Sequence, residues 1–438
     1  MKVLPIVALG AAALVLSGCP INGGGTYTVG GTVTGLSGSG LTLLLNGGDS
    51  LSFSASGTFV FGTKLDNSAA YSVTVMTQPS SPTQTCTVRN GTGAINKASI
   101  GNVIVACTQT GRFAYVANRQ SNSISGFAID PTGGGLVPLS GSPFASNGTT
   151  PTALTVDPNG QFLYVANNGS NTVSAYSIGA TGQLTAVGLP TATGTGPGAV
   201  SVDPTDHFLY VANLTANTVS AFAINAGALT PVVDSPFSVG AEPASLAIDP
   251  NGNFLYVTNF NGNTVSVFLI DPASGMLSTV SGSPFGTGAG PVSIAIDPTD
   301  AFAFVANNSD KTLASYALNA TTGALTPSGS PLSAGTNVEA LTVDPTGSYV
   351  FAANAQGPNQ VATFVITPSS GVLTESSTSA AGSLPIAVAI DPSGQFLYAV
   401  NFNSNDVSAY TLSATGALTP VAGSPFAVGT QPHAIAID

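Results

Sequence analysis

Four residues carry side chains that acid–base chemistry needs and fall in loops where the surrounding pattern does not require them: Arg119, Glu242, Glu339 and His433. Carboxylates and an imidazole can act as general acids or bases, and a guanidinium can stabilise a developing negative charge. We therefore take these four as candidate catalytic residues.

Three further loop residues, Phe260, Lys311 and Phe402, are candidates for ligand binding. The two phenylalanines each follow a repeated Asn and do not fit the positions that aromatic residues fill in the core. An exposed ring at such a place stacks well on a sugar or a peptide. Lys311, with its neighbour Asp310, interrupts an otherwise uncharged loop. Each residue alone fits a solvated loop, whereas all of them on one rim would favour a shared site.

The composition excludes several classes of function. With 7 Lys and Arg against 19 Asp and Glu, a net charge of −12 and a pI near 4.1, the chain cannot form a basic stripe for nucleic acid. It has two histidines and none of the standard phosphate-loop, zinc-protease, EF-hand or nucleophile-elbow motifs. We expect neither a metal nor a cofactor. A content of 43% apolar residues predicts a folded chain.

Residues 1–19 have the organisation of an export signal, with Lys2 followed by a short apolar run. The segment Leu16-Ser17-Gly18-Cys19 resembles the bacterial lipobox, which implies lipidation at Cys19 and attachment to a membrane. Pro20 after this cysteine implies sorting to the outer membrane or cell surface. An ordinary cleaved secretory signal is the alternative.

Residues 20–26 are a Gly-rich linker, and residues 27–110 show short alternating apolar runs separated by Gly, Ser and Asn. That pattern predicts a small β-module resembling Ig-like or transthyretin-like domains. Cys86 and Cys107 remain as an even pair once Cys19 is set aside, and in an oxidising compartment such a pair predicts a disulfide. No histidine neighbours them, which argues against a metal site.

A repeat dominates residues 111–438. An Asn recurs every 46 to 49 residues, at 118, 167, 213, 259, 307, 354 and 401, and this period matches a four-stranded propeller blade. The first strand of each unit ends in Asp, usually within an Asp-Pro turn. The last segment, 433–438, is a spare first strand. Pairing it beside the first unit gives seven complete blades and a closed ring.

The tetrads Tyr115–Asn118, Tyr164–Asn167, Tyr210–Asn213 and Tyr256–Asn259 resemble those of the YVTN or lactonase-like seven-bladed β-propeller family. The resemblance implies an all-β fold in which a seven-bladed propeller follows the small β-sandwich-like module. In such propellers the loops holding the candidate residues open on the usual binding face.

Two functions remain open. The one that we expect is a non-catalytic, monomeric envelope lipoprotein whose propeller binds a protein, peptide or glycan, because the chain has a lipobox, an accessory module and no recognisable catalytic set. The alternative, implied by the resemblance, is a lactonase similar to 6-phosphogluconolactonase. Among the candidate residues expected on the binding face, only Arg119 and Lys311 are basic, which disfavours a phosphorylated sugar as substrate.

Overall fold

The computed structural model describes residues 25–36, 40–79, 84–109, 113–335, 337–355, 357 and 359–438, and these residues form strands and turns without a helix. Two compact units are present. The described residues up to Gln78 belong to the first unit with Cys86–Ala106, and the second unit comprises Pro79–Thr85 and Cys107–Asp438. Within the described residues, no helix has the length and apolarity to cross a membrane. Cys19 and the export signal lie outside the described residues.

The first unit is built from two four-stranded sheets. One has the strand order Gly57–Val60, Val29–Thr34, Ile100–Gln109, Gln84–Arg89. The other has the order Asp49–Phe53, Leu41–Leu45, Ala70–Thr77, Thr92–Ala94, and a short pair joins Thr26–Tyr27 to Leu65–Asp66. Alternate residues of Leu41–Leu45 are buried, as expected when one face of a strand meets the core. The disulfide predicted between Cys86 and Cys107 is confirmed, and it joins two neighbouring strands.

The second unit consists of seven sheets, which we number as blades 1 to 7 in the chain order of their second strands. The first strands are Pro432–Ile437, Pro151–Val156, Pro197–Val202, Pro243–Ile248, Pro291–Ile296, Val338–Val343 and Pro385–Ile390. The second strands are Phe113–Asn118, Phe162–Asn167, Phe208–Asn213, Phe254–Asn259, Phe302–Asn307, Tyr349–Asn354 and Phe396–Asn401. The third strands are Ser123–Ile129, Thr172–Ile178, Thr218–Asn225, Thr264–Ile270, Thr312–Leu318, Gln360–Ile366 and Asp406–Leu412.

The fourth strands complete each sheet. They are Leu136–Pro138, Leu184–Ala186, Ala228–Pro231, Leu277–Thr279, Leu325–Pro327, Leu373–Ala380 and Leu418–Pro420. In six blades a two-residue segment continues this edge and pairs with the start of the third strand: Phe144–Ala145, Thr191–Ala192, Phe237–Ser238, Phe285–Gly286, Leu332–Ser333 and Phe426–Ala427.

The ring closes through blade 1. Its first strand, Pro432–Ile437, pairs antiparallel with Phe113–Asn118. Each first strand contacts the first strands of both neighbouring blades, so the seven of them surround the centre. The prediction of an all-β fold, with a seven-bladed propeller after a β-sandwich-like module, is confirmed.

Aromatic residues pack between blades and tie them together. Tyr115 is fully buried, and its hydroxyl donates a hydrogen bond to the carbonyl oxygen of Gly182 in the next blade at 2.7 Å. Tyr210 and Gly275 make the equivalent bond two blades on, at 3.0 Å. A buried phenol needs such a partner, so the blades are held in register by polar as well as apolar contacts.

The repeated Asp and Asn have local structural roles. The Asp157 carboxylate accepts hydrogen bonds from the backbone of Gln161 and Phe162, each at 2.6 Å, which confirms that the Asp-Pro segment is a turn. In blade 1, the Asn118 side chain accepts a hydrogen bond from the loop backbone of Gly429 at 3.1 Å. In blade 2, the Asn167 amide donates to the Ser174 hydroxyl at 2.9 Å, because the two side chains lie on the same face of paired strands.

Candidate functional site

Where the first strands begin, at one end of the propeller, the same hydrogen bond recurs in all seven blades. The residue after each repeated Asn donates its backbone N–H to the carbonyl oxygen of the residue before the first strand, at 2.8–2.9 Å. The side chains at this position form what we call the outer mouth ring. In order of blades 1 to 7 it comprises Arg119, Asn168, Leu214, Phe260, Asn308, Ala355 and Phe402.

A second set of side chains lies at the second residue of each first strand. Here the pairing with the second strand shifts register, so this residue has no cross-strand partner. We call this set the inner mouth ring. In the same blade order it comprises His433, Thr152, Gly198, Ala244, Val292, Glu339 and Ile386.

Side chains of the outer ring reach the first strand of the next blade. The Asn168 amide donates to the carbonyl oxygen of Pro197 at 3.3 Å, and the Asn308 amide donates to that of Val338 at 3.0 Å. The Phe402 ring meets the His433 ring edge-on, with centroids 6.3 Å apart. At the junctions of blade 5 with blade 6 and of blade 7 with blade 1, an outer-ring side chain therefore contacts the inner-ring side chain of the next blade.

His433 is the most sharply defined titratable group at the mouth. Its Nδ1 lies 2.8 Å from the carbonyl oxygen of Thr152, which can only accept, so Nδ1 carries the proton and Nε2 keeps a lone pair. Burial lowers the pKa of His433; the hydrogen bond to Thr152 opposes this shift, and the positive charge of Arg119 adds to it. The imidazole is thus held neutral, with a basic nitrogen available.

Arg119 lies beside His433 with unused hydrogen-bonding capacity. Its backbone N–H is bound to Gln431, whereas its Nε is buried and finds no acceptor among the described residues. A guanidinium always carries its charge, so a buried N–H of this kind is a strong donor for an anion or a carbonyl oxygen. The pair combines a proton acceptor with a fixed cation.

Glu339 and Asn308 form a second polar junction, between blades 5 and 6. Asn308 donates to the Glu339 carboxylate at 3.1 Å. Burial raises the pKa of Glu339, and the hydrogen bond from Asn308 acts in the opposite sense. The carboxyl group is therefore a weaker acid than usual and already has one polar partner.

The family described as lactonase, 7-bladed beta-propeller matches residues 72–189, 139–242, 233–340 and 334–434. This chain belongs to that family. Among curated proteins no significant match exists.

Solved structures of similar fold include lactonase-family propellers. A protein from Bacteroides uniformis, described as a candidate 6-phosphogluconolactonase, is 22% identical with a TM-score of 0.68, over 75% of this chain and 100% of its own. A similar candidate from Bacteroides fragilis is 21% identical, with a TM-score of 0.67 over 75% and 98% of the chains. The periplasmic gluconolactonase PpgL of Pseudomonas aeruginosa is 21% identical, with a TM-score of 0.65 over 74% and 98%.

Membership of the lactonase family corrects the main functional expectation. A non-catalytic binding or scaffold propeller was expected because no known catalytic motif is visible in the sequence. The expectation is wrong, since the matched family and the names of its structural relatives favour the alternative, a lactone hydrolase. A mouth assembled from single residues of separate blades leaves no contiguous motif to detect.

The candidate residues do not all meet. Arg119 and His433 share blade 1, but no hydrogen bond or ion pair within the described part of the chain joins either of them to Glu242 or Glu339. The reason is that the residues lie at different positions around the ring, since Glu339 belongs to blade 6 and Glu242 to blade 4. Glu242 precedes the inner-ring residue Ala244 by two residues and adopts a left-handed conformation with φ 54°, in which its N–H donates to Asn217.

Asp310 and Lys311 have structural roles in the blade 5 loop. The Asp310 carboxylate accepts a hydrogen bond from the backbone of Ala289 at 2.6 Å. Lys311 fills a left-handed turn position, φ 59°, where the six other blades have an Asn, and its side chain is exposed. Neither belongs to the two mouth rings.

Phe260 and Phe402 belong to the outer ring, yet they are not the exposed platforms that we expected. Both are partly buried, because the outer-ring position directs its side chain toward the next blade. Asn168 and Asn308 occupy the same position and are not among the candidates predicted from the sequence. The rule that selected the phenylalanines, position after the repeated Asn, would have found them. No group of three or more metal-ligating side chains converges in the described residues.

Proposed function

We propose that this protein hydrolyses lactones at the mouth of its propeller, where blades 1 and 2 meet. The observation that supports this most directly is the pairing of His433 with Arg119. A neutral imidazole with Nε2 unprotonated lies beside the Arg119 guanidinium, whose buried Nε has no partner in the described chain. These are the two components that water attack on a cyclic ester requires.

In the proposed reaction, Nε2 of His433 takes a proton from water as the water oxygen attacks the lactone carbonyl carbon. The carbonyl oxygen becomes an oxyanion, which the positive charge of Arg119 stabilises. The tetrahedral intermediate then collapses, the ring C–O bond breaks, and the imidazolium returns its proton to the leaving alkoxide. The product is a hydroxy acid, and His433 is neutral again.

The Thr152 carbonyl is the positioning group in this proposal. It fixes the tautomer by accepting from Nδ1, and it stabilises the positive imidazolium as that charge develops. In the enzyme without substrate, the pKa of His433 lies below the ordinary value for histidine. We therefore expect kcat/KM to stay constant down to a lower pH than it would with an unperturbed histidine, and to fall once the imidazole becomes protonated.

Steady-state hydrolysis of a panel of γ- and δ-lactones by the purified protein tests the proposal. We expect His433→Asn, whose amide keeps a donor for Thr152, to lower kcat by about 100-fold or more and to remove the acid limb of the pH profile. Arg119→Gln removes the cation for the oxyanion, and we expect a loss of about 100-fold or more.

The second histidine provides a matched control. His207 lies in the Asp-Pro turn of blade 3, where its Nδ1 contacts Thr205. His207→Asn should leave the rate and the pH profile unchanged. Full activity in His433→Asn, or no hydrolysis of any lactone by the wild type, would overturn the proposed function.

A further inference from the structure

We infer that the substrate is a neutral lactone with an apolar substituent, and not a phosphorylated or polyhydroxylated sugar lactone. The inference rests on the proposed function and specifies its substrate class. Three properties of the mouth support it: the scarcity of cations, the occupied hydrogen-bonding groups, and the apolar residues next to Arg119 and His433.

The charge of the propeller opposes a phosphorylated ligand. Residues 113–438 contain 17 Asp and Glu but only 2 Lys and Arg, namely Arg119 and Lys311. Of these two, only Arg119 belongs to a mouth ring. Sites for phosphate dianions usually combine several guanidinium, ammonium or helix N-terminal donors. A single guanidinium in a strongly negative molecule suits one carbonyl oxygen better than a dianion.

Most polar side chains of the two rings already have partners. The amides of Asn168 and Asn308 donate to backbone carbonyls of the next blade, and the Thr152 hydroxyl donates to the carbonyl oxygen of Pro197 at 2.9 Å. Glu339 accepts from Asn308. A sugar lactone buries several hydroxyl groups, each of which would need a free partner. The groups at the mouth without a partner among the described residues include Nε of Arg119 and Nε2 of His433, which suit the ester function.

The remaining ring positions are apolar, and some adjoin the proposed catalytic pair. Phe402 lies against the imidazole of His433. Ile386 is the inner-ring residue of the same blade 7 and is partly exposed. A lactone whose carbonyl binds Arg119 would thus place a ring substituent along blade 7. Burial of that substituent supplies binding energy without any polar partner.

The rate on lactones of increasing chain length tests this inference. We would measure kcat/KM for δ-hexalactone, δ-octalactone and δ-decalactone, with δ-gluconolactone and its 6-phosphate as the polar comparison. We expect kcat/KM to rise by up to about fourfold for each methylene that becomes buried, and to be lowest for the phosphate. Ile386→Ser should reduce this dependence on chain length.

Leu189→Ser is the control, because Leu189 is 89% exposed and belongs to neither mouth ring, so the dependence should persist. The outcomes separate the two proposals. Preference for gluconolactone or its phosphate, or rates independent of chain length, would overturn the substrate class and leave lactone hydrolysis intact. Absence of activity on every lactone would overturn both.

Discussion

At the scale of single residues, two carboxyl groups face each other across the junction of blades 2 and 3, in the turns remote from the mouth. Asp206 takes the left-handed turn position that Gly160 fills in blade 2, with φ 60°. One of its oxygens accepts from Asn159 at 2.9 Å, while Asp157 Oδ2 and Asp206 Oδ1 are buried and receive no hydrogen bond from a described donor. Burial, with the nearby Asp206 charge, raises the pKa of Asp157 to about 7.

This pair makes stability depend on pH. The folded state keeps a proton that the unfolded chain loses near pH 4, so the pair costs stability progressively from about pH 4 to about pH 7. We expect Asp206→Asn, which tolerates the left-handed conformation, to stabilise the protein by at least about 1 kcal/mol at pH 8 and little at pH 4. Denaturant unfolding at the two pH values measures the difference. Asp203, His207 and Tyr164 also interact with the pair and are unchanged in the variant.

Asp234→Asn serves as the control, because Asp234 has nearly the same backbone conformation, φ 62°, but is exposed. It should show no gain that depends on pH. A gain for Asp206→Asn of equal size at pH 4 and pH 8 would contradict the carboxyl-pair explanation.

The two ends of the propeller differ in how far the sequence predicts them. The Asp157 turn is readable because its donors lie four and five residues away. The contacts of His433 with Thr152 and Phe402 depend instead on which blades become neighbours when the ring closes. His433 and Arg119 are therefore recognisable as candidates from the sequence, whereas their separation from Glu242 and Glu339 of distant blades is not.

At the scale of elements, a glycine in the turn between third and fourth strands sets the spacing of neighbouring blades. Gly275 of blade 4 has φ 72°, and a Cβ there would lie 2.3 Å from the ring of Phe208 in blade 3. Gly134 and Phe396 make the equivalent close approach between blades 1 and 7. The phenylalanine opens a second strand, so this contact aligns one sheet against the next.

We expect Gly275→Ala to destabilise the propeller by about 2–4 kcal/mol. About 1–2 kcal/mol comes from the left-handed conformation, and the rest from pushing the Phe208 ring out of a packed junction. Calorimetric thermal unfolding measures the loss.

The matched variant is Gly188→Ala, since Gly188 has a similar φ of 67° but nothing within 4 Å of an added Cβ. It should show only the conformational cost. Equal losses in the two variants would mean that the glycine–phenylalanine contact does not set blade spacing.

The strands and turns were more predictable from the sequence than the site was, because each blade repeats the same local sequence pattern. Second strands begin with Phe or Tyr and end at the repeated Asn, as in Phe208–Asn213, and the turns carry their own Asp, Pro or Gly. The fourth strand of each blade was harder to predict from the sequence. In six blades it is interrupted, and four of those interruptions contain a cis Ser-Pro bond, such as Ser142–Pro143.

At the scale of the whole molecule, closure of the ring creates the proposed site. The strand Pro432–Ile437 supplies both the inner edge of blade 1 and the candidate base His433. Arg119 comes from the opposite end of the same propeller sequence, and Gln431 binds its backbone. The imidazole and the guanidinium are therefore neighbours only in a closed ring, so the proposed catalysis requires closure.

The proposed cellular location of the protein rests on residues outside the described structure. The lipobox-like segment ending at Cys19 leads us to propose that the mature protein is lipid-anchored at the outer membrane or cell surface, with residues 20–26 as tether. The propeller's excess of acidic residues disfavours electrostatic attachment to an anionic membrane surface, so anchoring would depend on acyl chains.

We expect Cys19→Ala to move the protein from the membrane fraction to the soluble or unprocessed pool of a bacterial host, and to abolish labelling by a fatty-acid analogue. Acyl chains contribute about 0.8 kcal/mol for each buried methylene, so their loss removes the dominant attachment. Cys86 is the control: it is paired with Cys107, and a Cys86→Ala Cys107→Ala variant should keep both label and membrane association. Membrane fractionation unchanged in Cys19→Ala would show that attachment does not depend on a lipid at this cysteine.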